Sequence, residues 1–311
     1  FSGNGAGVFT GPTNYPLGGT AIGGQDLAAG PLNDTDATHP DLVVANSDGD
    51  TSFPNGSISV FLQSGAGFGA ASRYSAGTGP SSAAVGTING DTARDLVVPD
   101  LVTNVFSYLA GTGTGTFPTV TSSAPVGTSP RKPILKDLDG DGDLDLVVVN
   151  AGSSSAPVGT CSGGPTPGAY CTAAADCGTG GTCPAKEFFA GVEPWRGFLS
   201  DVNQDGWLDL VTNDKSGSTV AVLEGDGKGH FGVPVLFGVG ETSIDLTVGD
   251  FNGDGKPDVA TCDQGDGRMS ILLNSSQTPV LSITQPGAGT LVTWSPLPEA
   301  AHYDVIRGNV G

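Results

Sequence analysis

The sequence predicts an all-β protein made of repeated four-stranded units that stack radially. Three observations carry this reading. The first is the acid composition: of 32 acidic residues in a chain of 311, five are Glu (Glu187, Glu193, Glu224, Glu241 and Glu299) and the rest are Asp. Glu favours helices, whereas Asp favours turns and offers short carboxylates to hard cations. The second is turn chemistry. There are 51 Gly and 22 Pro without a Gly-X-Y period, beside 37% hydrophobic residues in alternating runs, which excludes collagen and wholesale disorder. The third is an internal repeat of about fifty residues.

Five segments share one plan: an apolar lead-in, an Asp/Asn-rich loop, then Asp and a short apolar run. They read GPLNDTDATHPDLVVAN, GTINGDTARDLVVPD, KDLDGDGDLDLVVVN, SDVNQDGWLDLVTND and GDFNGDGKPDVATCD. The closing residues are Asp41, Asp95, Asp145, Asp209 and Asp258. The run after each, such as Leu146 to Val149, is apolar and β-branched and predicts an inner strand buried on both faces. A second strand follows a polar turn at Ile58–Leu62, Val105–Leu109, Val220–Leu223 and Met269–Leu273. A Gly-rich turn with an aromatic comes next, at Phe68, Phe117 and Phe231, and a polar outer segment leads into the next copy. Units of four short strands without a helix stack as the blades of a β-propeller.

With these F-G turns and D-x-[DN]-x-D-G-x-x-D loops, residues 1–279 resemble FG-GAP/VCBS repeats. Such repeats form the calcium-binding β-propeller of integrin α subunits and of many secreted bacterial proteins. The resemblance implies a propeller that binds calcium and serves adhesion or binding. The opening FSGNGAGVFTGPTNYPLGG matches LQSGAGFGAASRYSAGTGP, the second half of a unit, and the last repeat stops after its second strand at LLNSS. Pairing of the two half-units would close a ring of five blades and remove open edges. Further sequence upstream would make six or seven.

Three loops predict metal sites. In the first, Asp137, Asp139 and Asp141 alternate so that their carboxylates turn about one point. Gly142 allows the sharp turn, the Asp143 carbonyl adds a ligand, and Asp145 closes the site. The second uses Asp201, Asn203, Asp205, the Trp207 carbonyl and Asp209; the third uses Asp250, Asn252, Asp254, the Lys256 carbonyl and Asp258. Clustered carboxylates repel without a cation, and oxygen-only ligands select Ca²⁺ over zinc or copper. Two degenerate loops are weaker candidates. One keeps Asn89, Asp91 and Asp95 but has Thr87 first and Thr92 in place of Gly; the other offers Asn33, Asp34, Asp36 and Asp41 out of register. A solvated Asp-Gly turn is the alternative, and three near-identical spacings argue against it.

Cys161, Cys171, Cys177 and Cys183 fall within a Gly/Ala/Thr/Pro-rich stretch that has almost no apolar core. Such a stretch needs covalent staples, so two disulfides are expected, with three possible pairings. A zinc site lacks a C-x-x-C pair and a nearby His. The disulfides place the protein in an oxidising, extracellular or cell-surface setting. Cys262 reads as a small buried side chain on a strand. A net charge of −20 opposes nucleic-acid or anionic-membrane binding, and no apolar run reaches bilayer length. The chain opens at Phe1 in sequence that already reads as folded, as in a mature or truncated form.

No catalytic set emerges. His39, His230 and His302 lie in unrelated contexts, and no nucleophile elbow, H-E-x-x-H or P-loop occurs. Trp195, Trp207 and Trp294 could act as sugar platforms, although packing is the commoner role. Residues 280–311 carry alternating strands with a Trp in the second and a Tyr in the third, and resemble the opening of a fibronectin type III domain. The expected function is a secreted or cell-surface, calcium-stabilised propeller that binds a protein or glycan and performs no catalysis. A subunit that assembles with copies of itself into an extracellular fibre is the alternative, and a polysaccharide-acting propeller enzyme a lesser one.

Overall fold

The computed structural model describes residues 2–3, 9–10, 12–19, 23–33, 39–47, 52–65, 67–122, 126–152, 155–158, 186–275, 281–284 and 291–294. Every regular element among them is a strand. A hairpin of β1 (Ser2–Gly3) and β2 (Phe9–Thr10) comes first. Blade 1 follows, with β3 (Gly24–Gly30), β4 (Asp41–Asn46), β5 (Ser57–Phe61) and, after the small hairpin β6 (Gln63–Ser64) and β7 (Gly67–Phe68), β8 (Ser72–Ser75). Blade 2 contains β9 (Ala84–Gly86), β10 (Asp95–Asp100), β11 (Val105–Ala110) and β12 (Thr119–Ser122). Blade 3 contains β13 (Pro130–Lys136), β14 (Asp145–Asn150), β15 (Ser155–Val158) and β16 (Lys186–Phe189). Blade 4 contains β17 (Pro194–Ser200), β18 (Asp209–Asp214), β19 (Thr219–Leu223) and β20 (Val235–Gly238). Blade 5 has three strands among the described residues, β21 (Ser243–Gly249), β22 (Asp258–Asp263) and β23 (Arg268–Leu272). All pairings within the blades are antiparallel and join strands adjacent in sequence, except that β5 pairs with β8 across the small hairpin β6–β7.

The period-2 alternation of each second strand explains how the blades stack. In β10 every residue is buried. Leu96 and Val98 face blade 1, where they meet Val43, Ile58 and Val60. Val97 faces the other way, onto Leu146 and Val148 of blade 3. The pattern continues, with Val147 of blade 3 against Leu210 of blade 4, and Val211 and Val220 of blade 4 against Val259 of blade 5. Each such side chain contributes about 1.5–3 kcal/mol on burial, so neighbouring blades stabilise one another and no single sheet stands alone. The aromatic turns reinforce the outer rim. Phe117 of blade 2 meets Tyr74 of blade 1 edge-on at 5.5 Å, and Phe231 of blade 4 meets Phe188 of blade 3 at 5.4 Å.

The first strands of the blades converge on an axis. In blades 1, 3, 4 and 5 the ladder slips by one residue near the start of that strand, just before Asp26, Lys132, Arg196 and Asp245. Such a bulge re-aims one side chain. Asp26 accepts hydrogen bonds from Lys132 Nζ and Arg196 Nη1, each at 3.1 Å, and Arg196 Nε lies 3.8 Å from Asp245. Strands from four blades therefore meet in one charge cluster, which is the radial arrangement expected of propeller blades.

Two expectations meet differences. Among the described residues the N-terminal half-unit does not pair with the last repeat: β1 pairs with β2, and β23 has β22 as its neighbour. Residues 12–19 lie on blade 1 instead, where Tyr15 packs edge-on against Phe61 and Phe68 and the Leu17 carbonyl accepts Ser59 Oγ at 2.7 Å. Cys262 is exposed, not buried. Among the described residues its face of blade 5 has no sheet packed on it, so Met269 is 67% exposed while Val220, its counterpart in blade 4, is fully buried.

The Cys-rich stretch enters blade 3 between β15 and β16, which pair across it, where other blades carry the aromatic turn. Its four Cys residues lie outside the described residues. So do Asp34 and Asp36. In the C-terminal region β24 (Leu281–Thr284) and β25 (Leu291–Trp294) form a hairpin, and the expected third strand lies outside the described residues.

Candidate metal centre

The three Asp-rich loops share one backbone path, with positions counted from the first Asp. The position-1 carboxylate folds back on its own loop. Asp137 accepts the N–H groups of Gly140 at 2.7 Å and Gly142 at 3.0 Å; Asp201 accepts Asp205 and Gly206; Asp250 accepts Gly253, Asp254 and Gly255. Positions 3 and 5 make Asx turns, each side-chain oxygen taking the N–H two residues on. Position 6 is left-handed, as the Gly there requires: φ is +94° at Gly142, +97° at Gly206 and +84° at Gly255. Position 4 is left-handed as well, at Gly140, Gln204 and Gly253.

The position-9 Asp has a second task that sequence reasoning missed. One oxygen of each closing carboxylate caps the start of its loop, through the N–H of Leu32, Ile88, Leu138, Val202 or Phe251 at 2.7–3.0 Å. In blades 1, 2, 4 and 5 the other oxygen takes the N–H of Gln63, Gly111, Gly225 or Asn274, beyond the third strand, at 2.7–2.9 Å. The closing Asp is thus a buried latch between loop and sheet. Its presence in all five repeats, including the degenerate ones, was the available signal. A further set, Asp100, Asp214 and Asp263, ends the second strand at the opposite rim. These carboxylates accept the N–H groups of Thr78, Val192 and Gly240 in the crossover from the preceding blade.

The loops differ in their electrostatics. In loop 137–145 the ligand oxygens of Asp137, Asp139 and Asp145 all lie within 4.8 Å of one another, the sole such convergence of three acidic side chains among the described residues. Burial foremost, then the charges of Asp139, Asp141 and Asp137, push the Asp145 carboxyl up to about 7, against the Leu138 N–H. Burial and the neighbouring Asp141 and Asp137 charges also raise Asp139. In the other two loops position 3 is Asn, and its amide donates to the position-5 carboxylate, from Asn203 to Asp205 at 2.9 Å and from Asn252 to Asp254 at 3.2 Å. That amide offsets part of the repulsion. Burial raises Asp209, whereas the Gly255 N–H and its neighbours hold exposed Asp250 low.

Of the degenerate loops, blade 2 has the same Asn-to-Asp amide contact, Asn89 to Asp91 at 2.8 Å, and Asp95 serves as latch. Thr92 does not take the left-handed turn of position 6. In blade 1, Asn33 turns its amide onto Asp41 at 3.1 Å. Among the Trp residues, Trp195 stacks with the Arg131 guanidinium at 3.6 Å and the Lys215 ammonium at 4.0 Å, so its ring is already engaged in cation–π contacts. Trp207 is 47% exposed and sits against Gly227, where a Cβ would come within 2.3 Å of the indole. No helix among the described residues is long and apolar enough to cross a membrane.

Comparison with known proteins supports the repeat assignment. Residues 88–148 and 201–261 match the family described as FG-GAP-like repeat. Each stretch runs from the Asp loop of one blade to the second strand of the next, so the match to FG-GAP-like repeats takes in the Asp loops of blades 2, 3, 4 and 5. No curated protein matches. Solved structures with similarity include an Agrocybe aegerita lectin, described for specific recognition of non-reducing terminal N-acetylglucosamine. It is 16% identical, with a TM-score of 0.45, over 81% of this chain and 67% of the lectin. BBS1N, solved in complex with ARL6DN, is 14% identical, with a TM-score of 0.46, over 81% of this chain and 64% of its own.

Proposed function

We propose that this chain is a calcium-stabilised propeller module, secreted or displayed at the cell surface, that binds a protein or glycan ligand and performs no catalysis. The convergence of Asp137, Asp139 and Asp145, with Asp145 driven towards protonation, carries the calcium part: such a cluster is favourable only when a proton or a cation offsets its charge. An all-oxygen donor set fits a hard cation. In this reading Asp137, Asp139, Asp141, the Asp143 carbonyl and Asp145 hold the first ion. Asp201, Asn203, Asp205, the Trp207 carbonyl and Asp209 hold the second, and Asp250, Asn252, Asp254, the Lys256 carbonyl and Asp258 the third. The ions supply positive charge and fix the loops at one rim, which leaves a rigid surface for a ligand. An ion present at 100 times its Kd adds about 2.7 kcal/mol of stability.

Thermal unfolding in calcium and in chelator tests this reading, with glycan and protein arrays probed under both conditions. A rise in Tm with calcium that Asp137→Asn diminishes, together with array binding lost in chelator, is expected. An unchanged Tm would refute the calcium part. The fibre alternative draws on one observation, an apolar face of blade 5 that no other sheet covers among the described residues, with Met269, Ile271 and Leu273 exposed. Negative-stain microscopy separates the readings: filaments favour the fibre, single discs the binding module.

A further inference from the structure

We infer that the loops of blades 4 and 5 load cations as one coupled pair, while the blade 3 loop loads independently; this rests on the calcium reading above. Two bridges join loops 201–209 and 250–258. Gln204 Nε2 donates to the Gly255 carbonyl at 2.9 Å. Asn274 Nδ2 donates to the Val202 carbonyl at 2.5 Å, while the Asn274 N–H donates to Asp258 at 2.7 Å. The Val202 N–H in turn donates to Asp209 at 2.9 Å. The closing carboxylates of the two loops are therefore connected through one residue of each blade, and an ion that draws Asp258 into place also positions Val202 and Asp209.

The residues that make these bridges are particular to this pair. At the position of Gln204 the loops of blades 3 and 5 have Gly140 and Gly253. At the position of Asn274 blades 2 and 4 have Gly111 and Gly225, which donate the same N–H to their closing Asp but have no side chain to extend, and blade 1 has Gln63, whose amide donates to Gly65 of its own turn. Gln204 keeps its side chain at φ +61°, a left-handed conformation that the other loops assign to Gly.

The test uses terbium, a luminescent stand-in for calcium, titrated into the full chain. Trp207 lies within loop 201–209, so emission sensitised by its indole reports that loop. Removing the blade 5 carboxylates with Asp250→Asn and Asp254→Asn is expected to move the Trp207 midpoint to about five-fold higher terbium or more. The same change in a Gln204→Gly, Asn274→Gly background is expected to leave the midpoint in place, as is Asp137→Asn with Asp139→Asn in blade 3. Asn274→Gly alone, which keeps every carboxylate, guards against misfolding of the first variant and is expected to flatten the loading curve. An unmoved midpoint with intact emission, or an equal shift from the blade 3 variant, overturns the coupling and leaves the calcium reading standing. If no variant shows emission or a calcium-dependent Tm, both are overturned.

Discussion

Asp26 in blade 1 accepts a hydrogen bond from Arg196 in blade 4, 170 residues later, at 3.1 Å. Lys132 of blade 3 shares the same carboxylate oxygen, so one acid answers two cations from different sheets. The three side chains are 19–28% exposed, between the regimes of a surface pair and a buried one. Replacing Asp26 with Ala leaves two partly desolvated cations facing each other and should cost about 1–3 kcal/mol in urea unfolding. The loss should be smaller in an Arg196→Met background, and equal losses in both backgrounds would deny the coupling.

The closing carboxylates separate a structural role from a ligand role. Asp95 spans the blade 2 loop and sheet by accepting Ile88 and Gly111 N–H groups, both from part-buried surroundings. Asp95→Ala strands both donors and should destabilise by about 2–4 kcal/mol, in calcium and in chelator alike. Asp141→Asn, by contrast, should lower Tm only when calcium is present. Paired denaturant curves in the two buffers check both outcomes.

Much of the fold was legible because its signals are local. The Asp spacing in 137–145, 201–209 and 250–258 sets turns within nine residues, and the apolar runs after Asp95, Asp145 and Asp209 match strands buried throughout. The latch was not legible, since the second partner of Asp209 is the N–H of Gly225, sixteen residues away. The axial cluster was hidden for another reason. Its equivalent positions hold Asp26, Ser82, Lys132, Arg196 and Asp245, a mixture of acid, hydroxyl and base that gives no repeat signal. Exposure of Cys262 depends on whether a further sheet covers blade 5, which the strand's own pattern does not record.

Close backbone approach makes Gly111 and Gly225 irreplaceable. A Cβ on Gly111 would lie 1.9 Å from the Arg94 carbonyl oxygen, and one on Gly225 would lie 2.1 Å from that of Leu208. The clash is with backbone of the loop that leads into the latch, which cannot move without releasing Asp95 or Asp209. Gly111→Ala or Gly225→Ala should therefore cost about 3 kcal/mol or more. Gly90→Ala meets no atom within 4 Å but is held at φ +81°, so it should lose only about 1 kcal/mol, from backbone strain. Thermal melts of the three variants should rank in that order.

Asp139→Asn should act in opposite directions on the metal-free and loaded protein. It converts the blade 3 loop to the Asn pattern of blades 4 and 5, where the amide donates to the position-5 carboxylate. In chelator the variant should be more stable than the parent by about 1 kcal/mol, because repulsion among Asp137, Asp139 and Asp145 falls. In calcium it should bind more weakly, having lost one anionic ligand. The pH dependence has a matching sign. In the metal-free parent the Asp145 carboxyl sits at about 7, above its unfolded value. Its contribution to stability is then fully present below pH 4 and lost as pH rises through 7. Between pH 5 and 8, Tm in chelator should fall more steeply for the parent than for Asp139→Asn, and added calcium should restore more of it at pH 8 than at pH 5. Parallel slopes for the two proteins in chelator would show that Asp145 does not feel the loop's charges.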